Sequence, residues 1–142
     1  MKRRLFFKPE ERKTKRIHLV RFPSAKMESG FKSTGFAAVK AKTAGYLKAS
    51  CIEACRRIVR RAVKKAAKLR IALRPYLPMT TKPAEVRMGK GKGKVDTHYY
   101  PVYPGKILFE LSGIPAFRGR PALRKTLRRL PVAASVVVLR DR

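Results

Sequence analysis

The chain has 142 residues with 37 Lys+Arg against 8 Asp+Glu, a formal net charge of +29, and 44% hydrophobic residues. That is the size of one ordinary domain, apolar enough to build a core, and basic enough to repel itself until a polyanion neutralises it; nucleic acid is therefore the first partner to consider. The apolar run from Val132 to Leu139 falls far short of the roughly 20 residues a spanning helix needs, so membrane insertion is excluded.

Met1 to Arg16 carries eight basic residues together with Glu10 and Glu11. A matrix-targeting peptide is arginine-rich and acid-poor, which only Met1–Lys8 satisfies. Residues 1–16 are therefore expected to form a basic arm lying on RNA, with a short targeting signal as the alternative, and residues 17–142 a single domain. Ile17 to Phe22 reads as a first strand ended by Pro23, Ser24 to Ser33 as a loop, and Gly35 to Lys42 as a strand. His18, among apolar neighbours, reads as structural.

The clearest helix is expected over about Ala49 to Lys68. Ser50 with Glu53 has capping-box spacing, Ser50 as N-cap and Glu53 reaching back. Ile52, Cys55, Val59, Ala62 or Val63, and Ala66 recur at three- and four-residue steps as an apolar stripe. Glu53, Arg57, Arg60, Arg61, Lys64 and Lys68 fall on the opposite side. One acid among so many bases gives few favourable i,i+4 pairs, so this face, with Arg56, is a candidate RNA contact. Cys51 and Cys55 are the only cysteines. They staple no sizeable loop, which fits a reducing compartment, and with only two histidines in the chain they read as small core residues rather than metal ligands.

Leu69 to Arg74 alternates as a strand with Leu69, Ile71 and Leu73 inward, and Pro75 and Pro78 break the chain after it. Thr97 to Tyr103 and Lys106 to Leu111 are strand candidates around Pro104-Gly105, a turn signal that reads as a hairpin. His98, Tyr99, Tyr100 and Tyr103 could stack on bases or pack on a sheet. Arg118 to Leu130 is expected to be helical. Pro121 would fall in its first turn, Leu123, Leu127 and Leu130 on one face, and Arg120, Arg124, Lys125, Arg128 and Arg129 over much of the rest. Ala134 to Arg140 reads as a last strand. The fold class is α+β: one domain, mainly antiparallel sheet with two helices, a basic arm and a protruding loop.

That loop organises the chain. Gly89-Lys90-Gly91-Lys92-Gly93-Lys94 offers nothing to a core and is costly to order. If extended, it projects Lys90, Lys92 and Lys94 to one side and leaves the other bare, so ammonium and backbone N–H groups can approach dense negative charge. A flexible linker is the bland alternative. A P-loop does not fit, because no Ser or Thr follows a Gly-Lys pair.

The string Lys82-Pro83-Ala84-Glu85-Val86-Arg87-Met88-Gly89-Lys90-Gly91-Lys92-Gly93 resembles the signature of the L-sixteen (L-ten-e) family of large-subunit ribosomal proteins. Ala44-Gly45-Tyr46-Leu47 and Ile52-Glu53-Ala54-Cys55-Arg56-Arg57 are similar to that family's stretch before and within its first long helix. Bacterial members commonly carry Thr, a helix cap, where Lys48 stands, so the helix could instead start at Lys48. Gly45-Tyr46-Leu47 and Asp96 to Val102 resemble the mitochondrial branch.

The resemblance implies a hammerhead-type α+β fold beneath the central protuberance of the large ribosomal subunit. It implies contacts with large-subunit rRNA, the aminoacyl-site tRNA and neighbouring ribosomal proteins, and no cofactor or metal. Localisation would be the mitochondrial matrix, with a bacterial cytoplasmic or plastid ribosome as the alternative. The implied loop residues are Arg87, Met88, Lys90, Lys92 and, one position past the matched string, Lys94; the loop would extend toward the peptidyl transferase centre. The competing reading is an enzyme acting on RNA. Its acids are scattered, and Asp96 near His98 is the one local pair to test.

Overall fold

In the computed structural model, the described residues are Phe22 and 36–138. The expected basic arm, the strand at Ile17–Phe22 apart from Phe22 itself, the loop at Ser24–Ser33 and the last residues of the C-terminal strand lie outside them. Seven strands and two helices follow in the order β1 (Ala37–Ala41), β2 (Gly45–Lys48), α1 (Ala49–Val63), β3 (Lys68–Ile71), β4 (Leu77–Thr81), β5 (Lys94–Val102), β6 (Ile107–Ser112), α2 (Ala116–Leu127) and β7 (Ala134–Val138).

The strands form two antiparallel sheets rather than one: β3-β6-β1-β7 and β2-β5-β4. A single core joins them. Val39, Leu108, Phe109 and Leu111 from the larger sheet, Leu47 and Val102 from the smaller, Ile52, Cys55 and Val59 of α1 and Leu123 of α2 belong to one buried cluster. Because both sheets and both helices close on the same apolar interior, the chain folds as one α+β domain, as its patterning predicts.

Several boundaries differ from the sequence reading for identifiable reasons. Helix α1 begins directly after β2, with Lys48 at its N-cap and no side-chain cap; Ser50 is an exposed residue inside the helix. The helix stops at Val63, short of Lys68, because Lys64 turns to φ 52°. Ala66 and Lys68 thus lie beyond it.

Pro78 does not end a strand but sits in one. It pairs with His98 at the edge of the smaller sheet, where a missing N–H facing away from the ladder costs nothing. The expected hairpin across Pro104-Gly105 does not form either. The turn is made, but β5 and β6 belong to different sheets, and Gly105 N–H donates to the Ala41 carbonyl at 2.9 Å, so the turn carries the chain from one sheet to the other. Helix α2 starts at Ala116, two residues early, which leaves Pro121 in its interior instead of its first turn.

Candidate nucleic-acid interface

The smaller sheet carries the basic loop. Strands β4 and β5 are antiparallel neighbours whose register ends at Thr81 opposite Lys94, and residues 82–93 bridge them. At the closure Gly93 is essential: a Cβ there would sit 2.2 Å from the Thr81 carbonyl oxygen. The extended ribbon expected from the Gly/Lys alternation is not present. Gly89, Lys90 and Gly91 have φ of 102°, 53° and 84°, three left-handed residues in a row that curl the chain back. Glycine adopts such angles without strain, so Gly89 and Gly91 permit the curl while Lys90 between them takes a φ uncommon for a residue with a Cβ.

The Lys82 ammonium donates to the Gly89 carbonyl across the curl. A cavity of about 530 Å³ lies inside, bordered by Lys82, Val86, Lys90, Lys92, Lys94 and Asp96 among others. Lys94 itself is the first residue of β5, not part of a free ribbon. Arg87, Lys90, Lys92 and Lys94 are exposed, and Met88 is fully so, at 101%.

The α1 group divides. Glu53 is buried, not on the charged face, and it does not reach back to cap the helix. Its carboxylate accepts from Arg56 Nε and Nη2, each at 2.8 Å, and from Arg57 Nε at 3.0 Å. These contacts, led by the Arg56 hydrogen bonds, hold the Glu53 carboxyl below the usual carboxylate range. Arg60 donates to the Ala67 carbonyl at 3.2 Å. Arg61 near the end of the helix and Lys64 at its C-cap are exposed. Of the six basic residues expected to face RNA, Arg56 and Arg57 are therefore partly neutralised within the fold, and Lys68 lies beyond the helix.

Basic residues of α2 and the turn after it, read from sequence only as the covering of a helix, form a site of their own. Arg124, Lys125, Arg128 and Arg129 surround Ile58 of α1 in a cleft of about 490 Å³ between the helices. Residue spacing placed these side chains off the apolar face; only the α1–α2 packing shows that they converge.

The aromatic residues on β5 pack more than they present. Tyr99 meets Tyr46 edge to face at 6.5 Å with Lys48 Nζ 5.8 Å from its ring, and Tyr100 meets Tyr76 at 6.0 Å. Phe22 packs on Tyr46 and Tyr103. Asp96 and His98 lie two apart on β5. Among the described residues no group of three or more His, Cys, Asp or Glu side chains converges that could hold a metal ion.

A compact α+β body with acid-poor helices and a curled lysine loop defines a basic protein built to lie on a polyanion. The family model for ribosomal protein L16p/L10e matches residues 7–137, and the chain belongs to that family. It is thus a ribosomal protein, a structural component and not an enzyme.

Similar proteins include the large ribosomal subunit protein uL16 of Neorickettsia sennetsu, 38% identical over 129 residues that cover 91% of this chain and 93% of the relative. That of Blochmanniella pennsylvanica is 38% identical over 133 residues, covering 94% and 98%. That of Buchnera aphidicola subsp. Baizongia pistaciae is 46% identical over 103 residues, covering 72% and 76%. These relatives are bacterial, so the family stands and a mitochondrial branch does not follow from them.

Proposed function

We propose that the protein is a structural constituent of the large subunit of a bacterial-type ribosome, where it binds large-subunit rRNA and contacts other ribosomal proteins. The observation that carries this reading is the pairing of a net charge of +29 with a family whose bacterial relatives are named as large-subunit proteins. Arg61 and Lys64 on α1, with Arg56, Arg57 and Arg60 beside them, supply one cationic surface for the body. Arg87, Met88, Lys90, Lys92 and Lys94 supply a second, on the loop. Residues 1–16 act as a basic arm on the same RNA, and residues 17–142 as the folded unit. Among the described residues no helix is long and apolar enough to cross a membrane.

The finer placement rests on the sequence resemblance. The exposed loop reaches toward the aminoacyl-tRNA site near the peptidyl transferase centre, and Gly45-Tyr46-Leu47 with Asp96 to Val102 favours the mitochondrial matrix over a bacterial or plastid ribosome. The test is to express the tagged full chain and fractionate isolated mitochondria and cytosol on gradients. Co-sedimentation with mitochondrial large subunits, resistant to moderate salt, is expected. Sedimentation with another ribosome moves the location, and its absence from every large subunit overturns the function.

A further inference from the structure

We propose that the cleft between α1 and α2 is a discrete subsite for the phosphodiester backbone of RNA, held by Arg124, Lys125, Arg128 and Arg129 over Ile58. The inference rests on the ribosomal reading and adds a binding site separate from the loop and from the α1 residues Arg56 to Lys64.

Three observations carry it. The first is charge. Among the described residues the cleft is lined by four cations and no acid, and the sequence has no acid in α2 or between it and β7. Glu53, the only carboxylate of α1, is buried and turned to Arg56 and Arg57. Arg124 and Lys125 lie in the last turn of α2 and Arg128 and Arg129 just past its end, so four like charges crowd one cleft and repel one another. Position at the C-terminal end of a helix accounts for Arg124 and Lys125 being basic, but not for four cations meeting over one cleft with no acid among the described residues; an anion seated among them offsets the repulsion.

The second is rigidity. The Cys51 thiol of α1 donates to the Arg129 carbonyl at 3.1 Å. Arg129 N–H donates to the Thr126 carbonyl at 2.9 Å, and the fully buried Thr126 hydroxyl donates to the Leu123 carbonyl at 2.7 Å. The backbone that presents Arg128 and Arg129 is thus tied to α1 before any ligand arrives, which reduces the ordering cost of binding.

The third is shape. A concave site of about 490 Å³ walled by guanidinium groups suits a phosphate gripped by planar forks. A lipid surface would instead call for an exposed apolar rim around the cations, and among the described residues the apolar lining is the half-buried Ile58.

The test compares the full-length wild type with three double variants on large-subunit rRNA: Arg124→Gln/Arg128→Gln, Arg124→Lys/Arg128→Lys, and a charge control, Lys40→Gln/Lys42→Gln, on the exposed side of β1 and just after it. The glutamine pair is expected to weaken binding roughly tenfold or more and to lower the salt slope by about two, as loss of two phosphate contacts requires. It should also erase protection of one short backbone stretch in a hydroxyl-radical footprint. The lysine pair should keep the salt slope and recover only part of the affinity. The control should keep the whole footprint.

Circular dichroism melts establish that each variant folds; if the glutamine pair does not, the lysine pair decides through its affinity at unchanged slope. A glutamine pair indistinguishable from the control overturns the subsite while leaving the ribosomal reading intact. Loss of binding to phosphatidylglycerol vesicles with RNA binding retained overturns it in favour of a membrane surface. Failure of the wild type to bind rRNA at all removes the ribosomal reading and this subsite with it.

Discussion

Glu53 and Arg56, three residues apart on α1, form a two-point ion pair in which both guanidinium nitrogens stand 2.8 Å from carboxylate oxygens. The acid side chain is only 6% exposed, so water screens the pair little. Replacing Glu53 by Gln removes the charge and with it the two-point ion pair to Arg56, at an expected cost of about 2 kcal/mol in chemical denaturation.

The acid dependence follows from the same contact. Glu53 is held below its usual pKa in the folded state, so its contribution is present in full above the unfolded value and lost as pH falls through the lower, folded one. The wild type should lose stability on acidification below about pH 4.5, and the Glu53→Gln variant should lose less over the same interval. Parallel acid limbs in the two proteins would show that the pair does not contribute.

Lys64 closes α1 at φ 52°, ψ −127°, a backbone shape that strains any residue with a Cβ. Lys64→Gly should therefore raise stability by about 1 kcal/mol in urea. If Lys64 also meets phosphate, the same variant binds rRNA more weakly, so stability and affinity move in opposite directions. A glycine variant that gains stability and keeps its full affinity would limit Lys64 to a turn residue.

Two glycines of the loop should answer differently to alanine. At Gly93 the new methyl meets the Thr81 carbonyl, which is backbone and cannot swing aside, so unfolding should come earlier by about 1–3 kcal/mol. At Gly91 the space is open and only the φ of 84° resists, at about 1 kcal/mol. Thermal melts of the two variants side by side check the ranking.

Arg87 is the one guanidinium in the loop and is exposed, so Arg87→Lys should leave the free protein's melting temperature unchanged. In assembled large subunits the lysine keeps the charge and loses the planar fork, at about 1–3 kcal/mol of fixed contact. Particles carrying it should assemble, show a less ordered loop and form the first peptide bond more slowly in single-turnover reactions. Wild-type order and rate would reduce Arg87 to one cation among many.

The elements legible in the sequence were those with strong periodicity. The apolar steps of Ile52, Cys55 and Val59 and of Leu123 and Leu127 locate both helices, although α2 ends at Leu127 and Leu130, expected as its last residue, lies beyond it. What the sequence hid depends on partners distant along the chain. Pro78 looks like a breaker until β4 is seen at a sheet edge, and Pro104-Gly105 looks like a hairpin until β5 and β6 are assigned to separate sheets. Glu53 was placed on the wet face by helical spacing, yet two arginines cover it. The lysine loop could be recognised from its string, but not its curl, and the α2 arginines gave no sign of convergence because Ile58 lies far from them in sequence.

The order of strands in the larger sheet has a consequence for synthesis. Among the described strands neither β1 nor β3 has a neighbour until β6 exists, since β6 lies between them, and the second neighbour of β1 is β7, the last described strand. During translation these two strands therefore leave the exit tunnel before any partner found among the described residues, while the lysine loop and the basic helix are already exposed. The nascent chain is adhesive in two ways at once, through open backbone and through unneutralised charge, for most of its production. A message interrupted before Ile107 releases a fragment that can never close that sheet, so such fragments should depend on chaperone holding or rapid proteolysis far more than the finished protein does.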